Sequence, residues 1–282
     1  MASCLVGSEM CIRDSFEPTI NTFSFVSPYW NPFTAIRWLA GRAIPASKGS
    51  GKAATAGYAF FETRAGYNFV SYDYFSKQAP VTRMVVGHEK EEMEEDNDKG
   101  ITAVDKVTIE SSVDLFKGLN YGSYSSNVMT LDLANMKFEQ HPFSINKYYK
   151  DVNVMNSRKT PEFYKGFDTQ VTYTRIMTKI SDSALFTEGE YTQGFTKQLS
   201  QSSLREKLFY NKKVTVELVS DYQLEIGEVV QLDIYKGSSD RKQDFTNSGK
   251  YVIGKVERTF KTSEDKMSTR LTLYTDSDGA EV

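Results

Sequence analysis

Cysteine is nearly absent from the 282 residues: there are two, Cys4 and Cys11, both within the first fifteen positions. From Phe16 onward the chain has neither a disulfide framework nor a thiolate metal site. Histidine is as scarce, with only His88 and His141. Neither has a second histidine at ligand spacing, so no metal site built on histidine is expected. No apolar run reaches transmembrane length, and no membrane insertion by this chain is expected. An excess of one charge is lacking too. The net charge is -3 and the basic residues are dispersed rather than clustered with aromatics, which argues against a dedicated nucleic-acid surface.

The signatures of catalysis are missing as well. A phosphate-cradling loop needs a glycine, four residues, then Gly-Lys followed by a hydroxyl residue. Around Gly51-Lys52 the first glycine is replaced by Ala46 and the hydroxyl residue by Ala53. Gly49-Ser-Gly51-Lys-Ala-Ala54 approximates a dinucleotide fingerprint, but it follows a helix and precedes a hairpin, the reverse of what the fingerprint requires. A flexible loop fits these residues better. His141-Pro142 reads as a structural pair in a strand. No Gly-x-Ser-x-Gly elbow occurs, and 37 acidic residues leave no carboxylate pair that stands out. The acid-rich run from His88 to Asp98 reads as a solvated loop or helix end. Catalytic, cofactor and metal residues are therefore assigned as none, and no enzyme is expected.

What the chain does have is β-structure. Hydrophobic residues make up 39% and charged residues 25%, with 17 Tyr and 18 Phe, a globular composition suited to strands. The C-terminal stretch from Lys213 to Asp276 reads as four strands joined by turns. Lys213-Val-Thr-Val-Glu-Leu218 alternates strictly, as a half-buried strand does. Leu224–Ile234 continues with Gly227 as a bulge or bend, followed by Lys250–Phe260 and Ser268–Tyr274. With no helical pattern between them, these strands predict a closed or nearly closed antiparallel barrel.

Upstream, Phe16 to Ser27 is extended and aromatic. Asn31-Pro32 is a good helix start, and the helix runs on to Ala40. Tyr58–Thr63 and Tyr67–Tyr72 form a hairpin across Arg64-Ala-Gly66. Short strands are predicted at Val81–Val86 and Ile101–Ile109, a second hairpin at Tyr124–Asp132 with Lys137–Ser144, and a helix from Thr196 to Tyr210. Residues 1–15, Ser3-Cys-Leu-Val-Gly-Ser-Glu-Met-Cys-Ile-Arg-Asp-Ser15 among them, resemble the translation of a sequencing adapter. They are set aside from the fold, with the expectation that the natural N-terminus is missing.

Two stretches together resemble one family. The first is Trp30-Asn-Pro-Phe-Thr-Ala-Ile-Arg-Trp-Leu-Ala-Gly-Arg-Ala-Ile44 followed by Tyr58-Ala-Phe-Phe-Glu-Thr-Arg-Ala-Gly-Tyr-Asn-Phe69. The second is Gln223-Leu-Glu-Ile-Gly-Glu-Val-Val-Gln-Leu-Asp-Ile234 with Ser248-Gly-Lys-Tyr-Val-Ile253 and Thr269-Arg-Leu-Thr-Leu-Tyr-Thr-Asp276. In this order they resemble the central baseplate hub proteins of contractile-tailed (myovirus) bacteriophages. Gly122-Ser-Tyr-Ser-Ser126, Leu131-Asp132 and Phe143 are similar to an intermediate barrel hairpin of that family. The resemblance implies a mainly β (α+β) fold: a tube-type antiparallel β-barrel at 101–149 and 210–278, interrupted by a peripheral α+β domain at 16–100 and 150–209. It also implies a structural homotrimer in the virion's tail baseplate, assembled in the host cytoplasm. That ring would join the tail tube protein to the central spike protein, contact other baseplate proteins, and meet DNA only in transit through its lumen. The family normally carries another barrel before the first motif, for which this chain has no room. Two readings of other classes stay open: a tail-associated peptidoglycan hydrolase and a β-rich carbohydrate-binding module for host attachment.

Overall fold

The computed structural model describes residues 14–20, 22–46, 57–86, 101–111, 125–133, 135–144, 153–159, 175–181, 205–218, 223–235, 243–262 and 266–279. The loop at 49–54, the acidic run at 88–98, His88 and most of the stretch 147–170 lie outside the described residues.

An N-terminal module comes first. Strand β1 is Ser15–Phe16, helix α1 is Pro32–Ala40, and β2 (Tyr58–Thr63) with β3 (Gly66–Ser71) makes the expected hairpin. The Asn31 side chain accepts from Phe33 N at 2.9 Å and Pro32 follows it, so the cap and the fixed proline φ start the helix where the sequence places it. The expected arm from 16 to 27 is a strand only at Ser15–Phe16, which pairs in parallel with β3. Helix α2, Tyr72–Lys77, follows β3 directly.

The strands that follow are β4 (Arg83–Val86), β5 (Ile101–Ala103), β6 (Lys106–Ser111), β7 (Ser125–Asp132), β8 (Lys137–Ser144), β9 (Arg158–Lys159) and β10 (Arg175–Ser181). The last group is β11 (Lys212–Leu218), β12 (Val229–Ile234), β13 (Gly249–Lys261), β14 (Lys266–Thr275) and β15 (Ser277–Asp278). Seven of these make the principal sheet, in the order β5-β4-β12-β13-β14-β11-β6. Strands β7 and β8 pair with β10 in a separate three-stranded sheet, and β15 pairs with β9. The hairpin at 125–144 thus pairs outside the sheet formed by the C-terminal strands, while β4, from within 16–100, runs inside it.

The molecule is mainly β with α+β character, as expected, but no sheet is closed into a barrel by a hydrogen-bond ladder. The principal sheet is mixed rather than antiparallel, because β4 pairs in parallel with both β12 and β5. It is nonetheless tightly rolled. Its two edge strands, β5 and β6, are separated in the chain only by Val104 and Asp105, a span of about 10 Å at most. Val104 N donates to Val85 O at 3.1 Å and Asp105 N donates to Glu217 O at 2.9 Å. One segment therefore passes from the β4 side to the β11 side, changing partner midway. The seam is crossed by a single strand, which is why no ladder forms between β5 and β6.

Period-two alternation fills the roll. Val214, Val216 and Leu218 of β11 meet Val230, Leu232 and Ile234 of β12, Ile253 of β13 and Leu271 and Leu273 of β14 in one buried cluster. Each such side chain contributes about 1.5–3 kcal/mol when fully buried, which fixes the register of all four strands. The outer face of β12 and β13 is also covered: Val229 and Val252 pack with Val70, Tyr72, Phe75 and Phe209 of the surrounding module. The strand predicted from Leu224 begins only at Val229, because Gly227 takes φ +86 in a turn. Of the predicted helix 196–210, residues 205–209 are described and are helical.

Candidate interaction surface

Aromatic side chains build the outer wall of the N-terminal module. Trp38, on α1, is boxed by Phe25 at 4.9 Å, Trp30 at 5.9 Å and Phe23 at 6.0 Å between ring centroids. The Arg42 guanidinium lies 4.0 Å over the Trp38 ring and donates to Trp38 O at 3.0 Å; burial lowers its pKa. This box holds the irregular segment 22–30 against α1, and three apolar side chains are left facing out. Val26 is 93% exposed, Phe33 58% and Tyr29 fully. Tyr29 also has φ 51, a left-handed conformation costly for a bulky residue.

A cleft of about 930 Å³ lies between this module and the principal sheet. One wall is the hairpin, with Tyr58 through Glu62 of β2 lining it, together with Phe33 and Arg37 of α1. The other wall is the back of the sheet at Gly227, Val252 and Gly254, and Phe209 and Tyr210 close one end. The Tyr58 hydroxyl donates to Pro18 O at 3.2 Å, and burial pushes the Tyr58 phenol up. Burial does the same for Tyr72 and Tyr210. These phenols stay protonated.

Hairpin and sheet are tied at two points. Arg64 in the hairpin turn ion-pairs with Glu225 and donates to Gln223 O at 3.1 Å. The Phe61 ring lies on Gly227, where an added Cβ would come within 2.3 Å of it. At the base of the module, Arg205 is buried, donating to Asp276 Oδ2 at 2.7 Å and to Asp73 Oδ1 at 3.3 Å. Asn156 clamps the end of the sheet. Its Nδ2 donates to Lys250 O and Ser277 O, and its Oδ1 accepts from Lys250 N at 2.7 Å.

A second, shallower hollow of about 370 Å³ lies on the outside of β6, β11, β14 and β13. Its charges alternate: Glu110 with Lys213, Glu217 with Arg270, and Lys255 with Glu257. His141 sits in β8 opposite Val128, its Nε2 3.3 Å from the Glu139 carboxylate. Among the described residues no group of three His, Cys, Asp or Glu side chains could hold a metal ion, and no helix is long and apolar enough to cross a membrane. The cleft was not legible in the sequence, because its walls come from six separate stretches. The aromatic motif at 58–69 was the one local signal.

No family model matches the chain, and no curated protein matches it. Among solved structures, it is similar to a tail protein from Neisseria meningitidis MC58, with TM-score 0.48, 9% identity, 94% of this chain covered and 62% of the other. It is also similar to the 43 kDa tail protein of prophage MuSo2 from Shewanella oneidensis, with TM-score 0.46, 8% identity, 95% of this chain covered and 61% of the other. A weaker likeness, TM-score 0.20 at 13% identity over 78% of this chain and 49% of the other, is to the phage P2 baseplate in its activated conformation with Ca. The chain thus spans about three fifths of the length of the two tail proteins.

Proposed function

We propose that the chain is a non-enzymatic structural component of a contractile phage tail, acting in the baseplate as a hub. Three copies form a ring that joins the tail tube to the central spike, contacts other baseplate proteins and lines the passage for DNA. In this reading the rolled sheet is the tube-type unit and the aromatic module with α1 is the peripheral one. The observation that carries it is a contact. The two stretches that resemble the hub family lie 161 positions apart at Arg64 and Glu225, yet they pack on each other. Arg64 reaches Gln223 and Glu225, and Phe61 covers Gly227. Motifs that resemble a family in order, and also meet in space, support a shared architecture more strongly than order alone.

The test is the native mass of the purified chain by light scattering over a concentration series. The expected result is a stable species of three 32.0 kDa chains that co-sediments with tail tube and spike proteins. A strict monomer that binds neither overturns the hub. A monomer that binds host glycans favours the host-attachment module instead.

A further inference from the structure

Among the described residues, strand β2 has one open edge. It pairs with β3 on one side, β1 pairs with the far side of β3, and among the described residues no strand pairs with the other side of β2. Tyr72 N donates to Gly57 O at 3.4 Å, which sets the alternation of the hairpin. Odd-numbered residues of β2 face β3, so the N–H and C=O groups of Tyr58, Phe60 and Glu62 point to the open side.

That side is the cleft. Five consecutive residues of β2 line it, against Tyr67 alone from β3. Consecutive side chains of a strand point to opposite faces, so a hollow that touches all five runs along the strand's edge. A row of main-chain donors and acceptors beside an aromatic hollow is the setting in which an extended peptide joins a sheet.

We propose that the open edge of β2 and the cleft beside it form a receptor for an extended segment of a partner protein, added as a fourth strand to β1-β3-β2. The charges of the cleft select the partner. The charged side chains lining it are Glu62 and Glu206 against Arg37, and all three are exposed. The wall behind them is apolar, lined by the partly exposed side chains of Phe60, Phe61 and Ile226. The fitting segment is therefore aliphatic at alternate positions, facing the wall, and carries lysine or arginine between them, facing the rim. This holds whether or not the chain forms a ring.

The test uses the full chain and fluorescein-labelled decapeptides of alternating valine and lysine, with valine-glutamate and alternately N-methylated valine-lysine versions as controls, followed by anisotropy. Valine-lysine is expected to bind at least about tenfold more tightly than either control, since N-methylation removes the strand's own donors. Phe60→Pro removes an outward-pointing N–H on an edge strand, where proline is tolerated, and is expected to lose binding by at least about tenfold. Phe60→Leu keeps binding. Glu206→Lys reverses the preference toward valine-glutamate. Should Phe60→Pro fail to fold by circular dichroism, the N-methylated peptide on the wild-type chain decides alone. Equal binding of the N-methylated peptide, or no binding of valine-lysine, overturns the proposal. It also fails if Phe60→Pro alters the native mass and leaves peptide binding intact, since the edge would then hold a second copy of the chain.

Discussion

Arg205 shows how much one side chain can decide here. It is 1% exposed and bonds Asp276 at the end of β14, Asp73 in the first turn of α2 and, at 3.4 Å, the Asn153 carbonyl. A buried ion pair contributes little over an apolar core, but removing one partner leaves charge in a medium that solvates it poorly. Arg205→Leu is expected to lower stability by about 3–5 kcal/mol in urea unfolding. Adding Asp73→Asn and Asp276→Asn to it should recover part of that loss, because the stranded charges go with it. If the single variant unfolds like the wild type, the node is not a stability determinant. Nothing in the sequence marked Arg205, since its partners lie 132 and 71 positions away. Gly227 was legible as a bend. The Phe61 ring that requires glycine there was not.

At the scale of elements, strict alternation was legible wherever one face is buried and the other exposed. Strands β11 and β14 and the hairpins at 58–71 and 125–144 lie within a residue or two of their expected bounds. Pairing was less legible. A four-residue strand such as β4 carries no signal for a parallel partner about 150 positions away. Helix α2 begins inside an alternating aromatic run, and β10 has no turn signal to frame it. The edge of β2 left open among the described residues was equally invisible, since it depends on which distant strands pair there. The outer face of β11 has a cross-strand pattern that pH can probe. Glu110 accepts from Lys213 and, at 2.6 Å, from the Thr215 hydroxyl, and these bonds, Lys213 first, hold its carboxyl below the ordinary 4.5. A folded pKa depressed below the unfolded one contributes stability above the unfolded value, and that contribution is lost as pH falls through the folded one. Glu110→Gln is therefore expected to lower the melting temperature slightly at pH 7, and the difference should vanish near about pH 2. A difference that grows on acidification would contradict the assignment.

For the whole molecule, exposed apolar side chains are spread along the chain, Phe16, Met136, Ile176 and Phe260 among them, and one group, Val26, Tyr29 and Phe33, falls close together in sequence. Val26 and Tyr29 project from the segment that the Trp38 box fixes to α1 and Phe33 from the first turn of α1 itself, and the backbone at Tyr29 is left-handed. Exposed apolar side chains scattered singly need no explanation, whereas a contiguous group on a fixed support marks an interaction site. Strain at such a position points the same way, since the fold maintains it at a cost. In the proposed ring this stretch is the natural place for contact between neighbouring copies, where aromatic anchors dominate the energetics. Tyr29→Ser with Phe33→Ser removes two exposed rings and no core contact of the principal sheet. The unfolding midpoint of the subunit should therefore be nearly unchanged, while the concentration for half-assembly should rise at least about tenfold. Sedimentation at several concentrations, beside a melting curve, separates the two effects. A trimer that forms as readily as before would move the subunit contact away from α1. A variant that melts early would mean that Phe33, whose ring lies 6.0 Å from that of Phe60, serves the module's own packing instead.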